Sequence, residues 1–204
     1  MPFLTTVIEF IKEWQTLIGA LLAIFVAMRT IKVLNLQTLN ETNRHLDHQR
    51  RKGLAARAEM PDALSEISAY LRAAGEFLIE ERTDKPETPS SALSTLKRSI
   101  EHLEDGAAKR TFELISFYQV QNVRMENSGG HSSLDDMTYD VIKLQALTNS
   151  LFDYARNEER SVEASDLTRE EMAVALKNAF RLENRVPLEE EFQLIDKIIN
   201  RRHA

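Results

Sequence analysis

Three side chains in one stretch of the sequence could bind a metal ion: Glu41, His45 and His48. In an α-helix the spacing i, i+4 and i+7 places a carboxylate and two imidazoles on one face, and these are ligands that Zn²⁺ accepts. The same spacing is typical of an exposed polar helix, and the neighbouring residues are polar. No H-E-x-x-H motif occurs in the chain. The other histidines, which lack partners at ligand spacing, are His102, His131 and His203. We therefore expect no metal site.

Other reactive motifs are also missing from the sequence. Gly129-Gly130 lacks the Lys-Ser/Thr pair and the preceding strand of a phosphate-binding loop, so it indicates a hinge. Ser132 and Ser133 precede a helical pattern as capping residues would, and no G-x-S-x-G motif surrounds them. The run Glu189–Glu191 suits the positive end of a helix. We name no catalytic residue and predict no cofactor.

Composition sets the class of protein. The chain has 204 residues, 43% of them hydrophobic, and a formal charge of −6. That apolar fraction is enough for a folded core, while the acidic balance argues against a nucleic-acid partner. The absence of cysteine excludes a disulfide scaffold, a thiolate metal site and a cysteine nucleophile.

Charge and hydrophobicity divide the chain into dissimilar parts. Residues 1–60 contain eight Lys and Arg residues against five Asp and Glu residues, a net charge of +3, whereas the remainder contains 18 and 27, a net charge of −9. Within the basic part, the fifteen residues from Trp14 to Met28 carry no charge. This is the one place where hydrophobicity is continuous, and it indicates a membrane-spanning helix.

Fifteen residues are too few to cross about 30 Å of hydrocarbon, but a helix extended to Leu34 would measure about 31 Å. Arg29 and Lys32 would then lie near its inner end, where long side chains can reach the lipid headgroups. The apolar residues together favour insertion by roughly 2–4 kcal/mol, more than a cation near the interface costs. The residues that we expect to mark the span are Trp14, as an interfacial anchor, with Leu17, Leu21, Phe25 and Leu34.

Two alternatives to a span are a buried helix of a soluble core and a cleaved signal peptide. The second is disfavoured because Glu9 and Glu13 precede the apolar run and no small-x-small cleavage site follows it. Basic residues cluster after the span, so the positive-inside rule predicts an external N-terminus and a cytoplasmic C-terminal part. The leader before the span either lies along the outer interface or continues the spanning helix.

Gly19, Ala23 and Ala27 recur every four residues and would form a small-residue ridge along the span. Such a ridge allows two helices to approach closely, although it could equally face lipid. The predicted partners are therefore the lipid bilayer and either a second copy or other subunits of a membrane complex.

The residues after the span indicate a polar stalk followed by an all-α bundle. We divide the chain into a leader and transmembrane helix at 1–34, a helical stalk at 35–58 and a cytoplasmic bundle of five or six helices at 59–204. Leu39 and Leu46 are seven residues apart, which is too little to establish a coiled coil. The bundle's first helix would begin near Pro61, or Pro61 would kink one long helix. Its apolar stripe is Leu64, Ile67, Leu71, Ala74 and Leu78.

Further helices follow from the same periodicity. Connections between helices are expected at 83–91, at Asp105–Gly106 and at 127–132. Ser90 or Ser91 would cap the helix that follows the first connection. A capping box (Thr168, Glu171) with a hydrophobic staple (Leu167, Met172) predicts another helix start, and a last helix would begin near Pro187. The predicted buried stripes are Leu93, Leu96, Ile100 and Leu103; Phe112, Ile115 and Gln119, widened by Leu114, Phe117 and Tyr118; Leu134, Met137, Val141, Leu144, Thr148, Leu151 and Ala155, widened by Ile142, Leu147 and Phe152; and Leu188, Phe192, Ile195 and Ile199.

The segment W-Q-T-L-I-G-A-L-L-A, the basic stalk and R-A-E-M-P-D-A-L-S-E-I-S-A-Y (Arg57 to Tyr70) together resemble a group of uncharacterised bacterial inner-membrane proteins with a single N-terminal span. The resemblance covers roughly the first 75 residues and implies location and architecture, with no known activity. We expect a membrane-anchored helical interaction or scaffold protein. The alternative is a membrane-tethered enzyme or small-ligand sensor with a site inside the bundle.

Overall fold

The computed structural model describes residues 2–79, 85–126, 134–180 and 189–202. Side chains of residues 2–11, 13, 16, 79, 189–192, 194, 195 and 202 lie outside this description. Over the described ranges all regular structure is helical, which confirms the predicted all-α class. The elements are α1 (Pro2–Ile79), α2 (Ser90–Ser99), a 3₁₀ helix (Ile100–His102), α3 (Asp105–Glu126), α4 (Leu134–Ala155), α5 (Arg169–Ala179) and α6 (Glu189–Arg202).

The chain divides into two compact units, Met1–Arg50 and Arg51–Ala204. The first consists of the N-terminal part of α1, and its described side chains are all exposed. Along this part, the Thr30, Thr38 and Thr42 hydroxyls donate to the carbonyl four residues earlier at 2.9–3.0 Å. These hydroxyls are therefore satisfied within the helix itself. The domain boundaries predicted at 34 and 58 remain predictions.

Pro61 lies inside α1, so the predicted helix start at this residue is wrong, and the alternative that placed it within one long helix is correct. The helix continues because the residues on both sides of Pro61 are good helix formers and Leu64, Ile67 and Leu71 bury one face. The whole predicted stripe from Leu64 to Leu78 is buried.

Helices α2 and α3 begin at residues other than those predicted. Ser90 and Ser91 are the first residues of α2, and neither caps it, since Pro89 occupies the N-cap position. The break before α3 lies at Leu103–Glu104 rather than at Asp105–Gly106, because the Glu104 carboxylate accepts hydrogen bonds from the Gly106 and Ala107 amides at 3.0 and 3.2 Å. Glu104 thereby caps α3.

The buried face of α3 differs from the predicted stripe. Phe112 is 64% exposed and Gln119 is also exposed, whereas Leu114, Ile115 and Tyr118 are buried. The prediction placed Phe112 inside because it shares the helical spacing of Ile115 and Gln119. Packing instead selects the face that includes Arg110 and Thr111, both almost fully buried.

α4 buries fourteen of its 22 residues and packs against α3, α5 and α6. The predicted seam from Met137 to Ala155 is buried, and only its first member, Leu134, is exposed. The helix ends in a Schellman motif: Asn157 has φ 67° and donates to the Tyr154 carbonyl at 3.0 Å, while the Glu158 amide donates to the Asp153 carbonyl at 2.9 Å. α4 is thus covered by other helices along most of its circumference.

The predicted capping box starts α5: Thr168 accepts from the Glu171 amide at 3.2 Å, and Glu171 accepts from the Thr168 amide at 2.7 Å. The staple residues Leu167 and Met172 are both buried, as predicted. In α6, Ile199 is fully buried. Pro187 and Leu188, and the side chains of Phe192 and Ile195, lie outside the described residues, as does the connection predicted at 127–132.

Candidate functional site

The apolar segment of α1 is exposed along its length. The residues predicted to mark a span have the following exposed fractions: Trp14 51%, Leu17 56%, Leu21 59%, Phe25 56% and Leu34 53%. An 18-residue stretch in this region has a mean hydropathy of 2.1, and none of it is buried by the described residues. By length and composition, this helix near the N-terminus can cross a membrane.

The two cations predicted at the inner end of the segment are also exposed. The Arg29 guanidinium carbon lies 5.6 Å from the centroid of the Phe25 ring, one helical turn earlier. This contact directs Arg29 back along α1. Lys32 is exposed on the following turn.

Gly19, Ala23 and Ala27 form an exposed row on the same segment. A Cβ atom added at Gly19 would meet no heavy atom within 4 Å. The row is therefore accessible to another helix, and association through it remains a prediction.

Two of the described histidines contact a neighbouring polar side chain. His45 contacts Gln49 at 3.0 Å, and His102 pairs with Glu101 at 3.1 Å. Among the described residues no three His, Asp or Glu side chains are grouped so that they could hold a metal ion. His131 and His203 lie outside the described residues.

A polar cluster at Tyr154 connects three helices to the segment 156–168. The Arg57 guanidinium lies 4.0 Å from the centroid of the Tyr154 ring and donates to the carbonyls of Tyr154 and Glu159. The Tyr154 hydroxyl accepts from the Glu104 amide at 3.2 Å, and the Glu104 carboxylate accepts from the Val162 amide at 3.4 Å. Hydrogen bonds from Gly106, Ala107 and Val162 hold the pKa of Glu104 below its ordinary value.

Arg110 is 1% exposed and fixes the same segment from α3. It pairs with Glu113 at 3.0 Å and donates to the carbonyls of Glu163 and Ser165 at 3.0 and 2.6 Å. Its charge is thus used within the protein to hold the connection between α4 and α5. We assign it a structural role.

Two buried tyrosines form a second internal contact. The rings of Tyr70 and Tyr118 meet edge to face at 5.3 Å between centroids, and the Tyr70 hydroxyl lies 3.4 Å from Gln121 Oε1. Burial raises the pKa of both phenols, so they stay neutral at physiological pH. They pack the contact between α1 and α3.

A polar cleft of about 500 Å³ lies where α1, α4 and α5 meet. Each helix contributes residues at helical spacing, three or four positions apart. We call it the arginine cleft, after its two cations, and its lining residues are Ser65, Ser68 and Arg72 from α1; Gln145, Asn149 and Phe152 from α4; Arg156 just after α4; and Val174 and Asn178 from α5.

The floor of the arginine cleft holds a hydrogen-bonded row of polar side chains. Gln145, 3% exposed, donates through Nε2 to Asn149 Oδ1 at 2.8 Å and to Ser68 Oγ at 3.3 Å. Gln145 Oε1 and Asn149 Nδ2 are buried and have no hydrogen-bond partner among the described residues. If the oxygen and nitrogen positions were exchanged in both Gln145 and Asn149, the hydrogen bond between the two side chains would remain. One acceptor and one donor would still lack a partner.

Comparison with family models, curated proteins and solved structures finds no match. The resemblance to inner-membrane proteins therefore stays a prediction. The arginine cleft was not predicted from the sequence. Its one local signal is the polar series Gln145, Asn149 and Arg156 beside the apolar seam of α4, and nothing in that series indicates that Ser68 and Arg72 lie opposite.

Proposed function

We propose that this chain is a single-span membrane protein whose helical C-terminal part is an interaction or scaffold module. The observation that carries the proposal is the apolar stretch between Trp14 and Leu34, which no described part of the chain covers. A soluble protein rarely leaves so long an apolar surface in water. A lipid bilayer removes that surface from water without any change in the helix.

The charge pattern supports an orientation in the inner (plasma) membrane. Lys12 is the one basic residue before the apolar stretch, whereas Arg29, Lys32 and Arg44 follow it and precede a further basic run. Positive residues close to a span stay in the cytoplasm. We therefore place the N-terminus outside and the acidic helical part, folded as a bundle, in the cytoplasm.

Within this proposal, the row Gly19, Ala23 and Ala27 is the surface through which the span would pair with a second copy or with another subunit of a membrane complex. Small residues allow backbones to approach closely in lipid, where van der Waals packing drives association. The proposed partners are the bilayer and one of these two kinds of helix.

Cell fractionation tests the anchor. We expect the full chain to sediment with membranes and to resist extraction by high salt and by carbonate. The double substitution Leu21→Lys and Phe25→Lys should release it, because two central cations cost roughly 5–7 kcal/mol and exceed the apolar gain of about 2–4 kcal/mol.

The matched control is Leu39→Lys with Leu46→Lys, which adds the same charge at exposed apolar positions outside the proposed span. This control should stay in the membrane pellet. Recovery of the unaltered chain in the soluble fraction after carbonate treatment would refute the anchor.

A membrane-tethered enzyme or small-ligand sensor is the second candidate function. Among the described residues, the arginine cleft is the observation that favours it, since pockets that bind small molecules combine such volumes with a few convergent polar groups. The cleft supports ligand binding, which both an enzyme and a sensor require.

A further inference from the structure

We infer that the arginine cleft binds a small soluble molecule through an oxyanion, either a carboxylate or a phosphate. The inference concerns the second unit alone and stands independently of the membrane anchor. It rests on the charge, the polar lining and the size of the cleft.

The charge of the cleft is opposite to that of its surroundings. Arg72 and Arg156 both line it, and no Asp or Glu does, whereas residues 61–204 carry a net charge of −9. Within the part of the chain that the structure describes, no carboxylate lies within ion-pair distance of either guanidinium. Two cations that face one cleft without a counter-ion favour an anionic ligand.

Four arginines of the second unit differ from Arg72 and Arg156 because their N–H groups have partners within the protein. Arg57 and Arg110 donate hydrogen bonds to backbone carbonyls. Arg98 pairs with Glu59, and Arg124 pairs with Asp140. Arg72 and Arg156 keep theirs available to the cleft. A planar guanidinium donates two parallel hydrogen bonds to a carboxylate or phosphate, which makes arginine the usual residue for such groups.

Arg156 lies over an aromatic ring of the cleft. Its guanidinium carbon lies 5.1 Å from the centroid of Phe152, which also lines the cleft. A cation held over a ring face keeps its N–H edge free for a ligand. Phe152 and Val174 add an apolar surface, so the ligand would carry a short organic body as well as its charge.

Neutral polar side chains of the cleft would recognise an uncharged part of the ligand. Ser65, Asn149 and Asn178 line the cleft beside the two arginines, and hydroxyl and amide groups donate and accept hydrogen bonds. A hydroxyl or amide next to the oxyanion would pair with them.

The cleft is open to solvent and measures about 500 Å³, a volume within the range of about 300–1,000 Å³ that is common for sites of small molecules. The mixture of two cations with neutral amides and hydroxyls disfavours cationic ligands. It fits a hydroxylated carboxylate or a phosphorylated metabolite.

Isothermal titration calorimetry on the full chain in detergent micelles tests the inference, with inorganic phosphate and malate as separate probes and sodium chloride at equal ionic strength as the reference. We expect saturable binding of at least one probe at a single site. Arg72→Gln and Arg156→Gln should each weaken it about tenfold or more, as the loss of a charged hydrogen-bonded partner does.

Arg160→Gln is the matched control, since Arg160 is exposed and does not line the cleft. It removes the same charge and should change the affinity less than twofold. Arg72→Lys retains the charge without the planar fork, and an intermediate affinity would support bidentate recognition. A melting curve for each variant identifies loss of folding separately.

Three results would overturn the inference. The first is no saturable binding of either probe. The second is equal weakening by Arg160→Gln, which would indicate general charge attraction. The third is binding to vesicles of anionic lipid without any response to the soluble probes, which would make the ligand a membrane headgroup. None of these results bears on the fractionation test of the anchor.

Discussion

The Arg57 guanidinium lies 4.0 Å from the centroid of the Tyr154 ring and donates a hydrogen bond to the carbonyl of the same tyrosine. One side chain of α1 therefore contacts both the ring and the backbone at the end of α4. A second hydrogen bond to the Glu159 carbonyl extends the contact into the segment that leads to α5.

We predict that Arg57→Ala lowers the free energy of unfolding by about 2 kcal/mol, because it removes charged hydrogen bonds and a cation–π contact. Urea denaturation of the full chain in detergent, followed by tyrosine circular dichroism, measures this change. Arg51→Ala, at an exposed position on the same helix, should alter stability by less than about 0.5 kcal/mol. Equal effects of the two substitutions would contradict the assigned contact.

Glu104 predicts a pH dependence of stability. Hydrogen bonds from the Gly106 amide, and then from Ala107 and Val162, lower the pKa of its carboxyl in the folded state. A lowered folded pKa means that the stabilisation is complete above the usual glutamate pKa and disappears as the pH falls through the folded value. Unfolding at neutral pH should therefore be easier for Glu104→Gln than for the unaltered chain, and this difference should shrink in acid.

Denaturation midpoints measured between pH 7 and pH 3 test this dependence. Glu158→Gln serves as the control, since its exposed carboxylate accepts no hydrogen bond among the described residues. The control should follow the unaltered chain over the whole range. A constant difference between Glu104→Gln and the unaltered chain would show that charge at this position is unimportant.

Gly106 is predicted to be intolerant of any side chain. A Cβ atom there would lie 2.0 Å from the Val162 carbonyl oxygen, a backbone atom that cannot rotate away. Gly106→Ala should destabilise the chain by roughly 1–3 kcal/mol, the usual cost of overpacking. Gly19→Ala meets no atom within 4 Å and should cost nothing, so similar denaturation midpoints for the two variants would disprove the close approach.

Local sequence signals predicted the features that depend on local physics. The capping box at Thr168 and Glu171 formed because both partners belong to the same turn, and the seam of α4 is buried because its apolar residues recur at helical spacing. The exposed apolar segment was likewise visible as an uncharged run.

Tertiary packing decided the features that the sequence did not predict. Periodicity cannot distinguish an exposed Phe112 from a buried one, because the choice depends on which helices cover α3. The sequence predicted a break at Asp105–Gly106, whereas Glu104, one residue earlier, caps α3. The arginine cleft requires Arg72 and Arg156, 84 positions apart, to face the same space, and no local pattern encodes that pairing.

The burial of α4 has a consequence for the order in which the protein is made. Translation delivers α4 before α5 and α6, the two later helices against which it packs. A nascent chain that has just released α4 from the ribosome therefore presents an uncovered apolar surface, which exposes it to aggregation. Completion of the C-terminal helices is what ends this vulnerable interval.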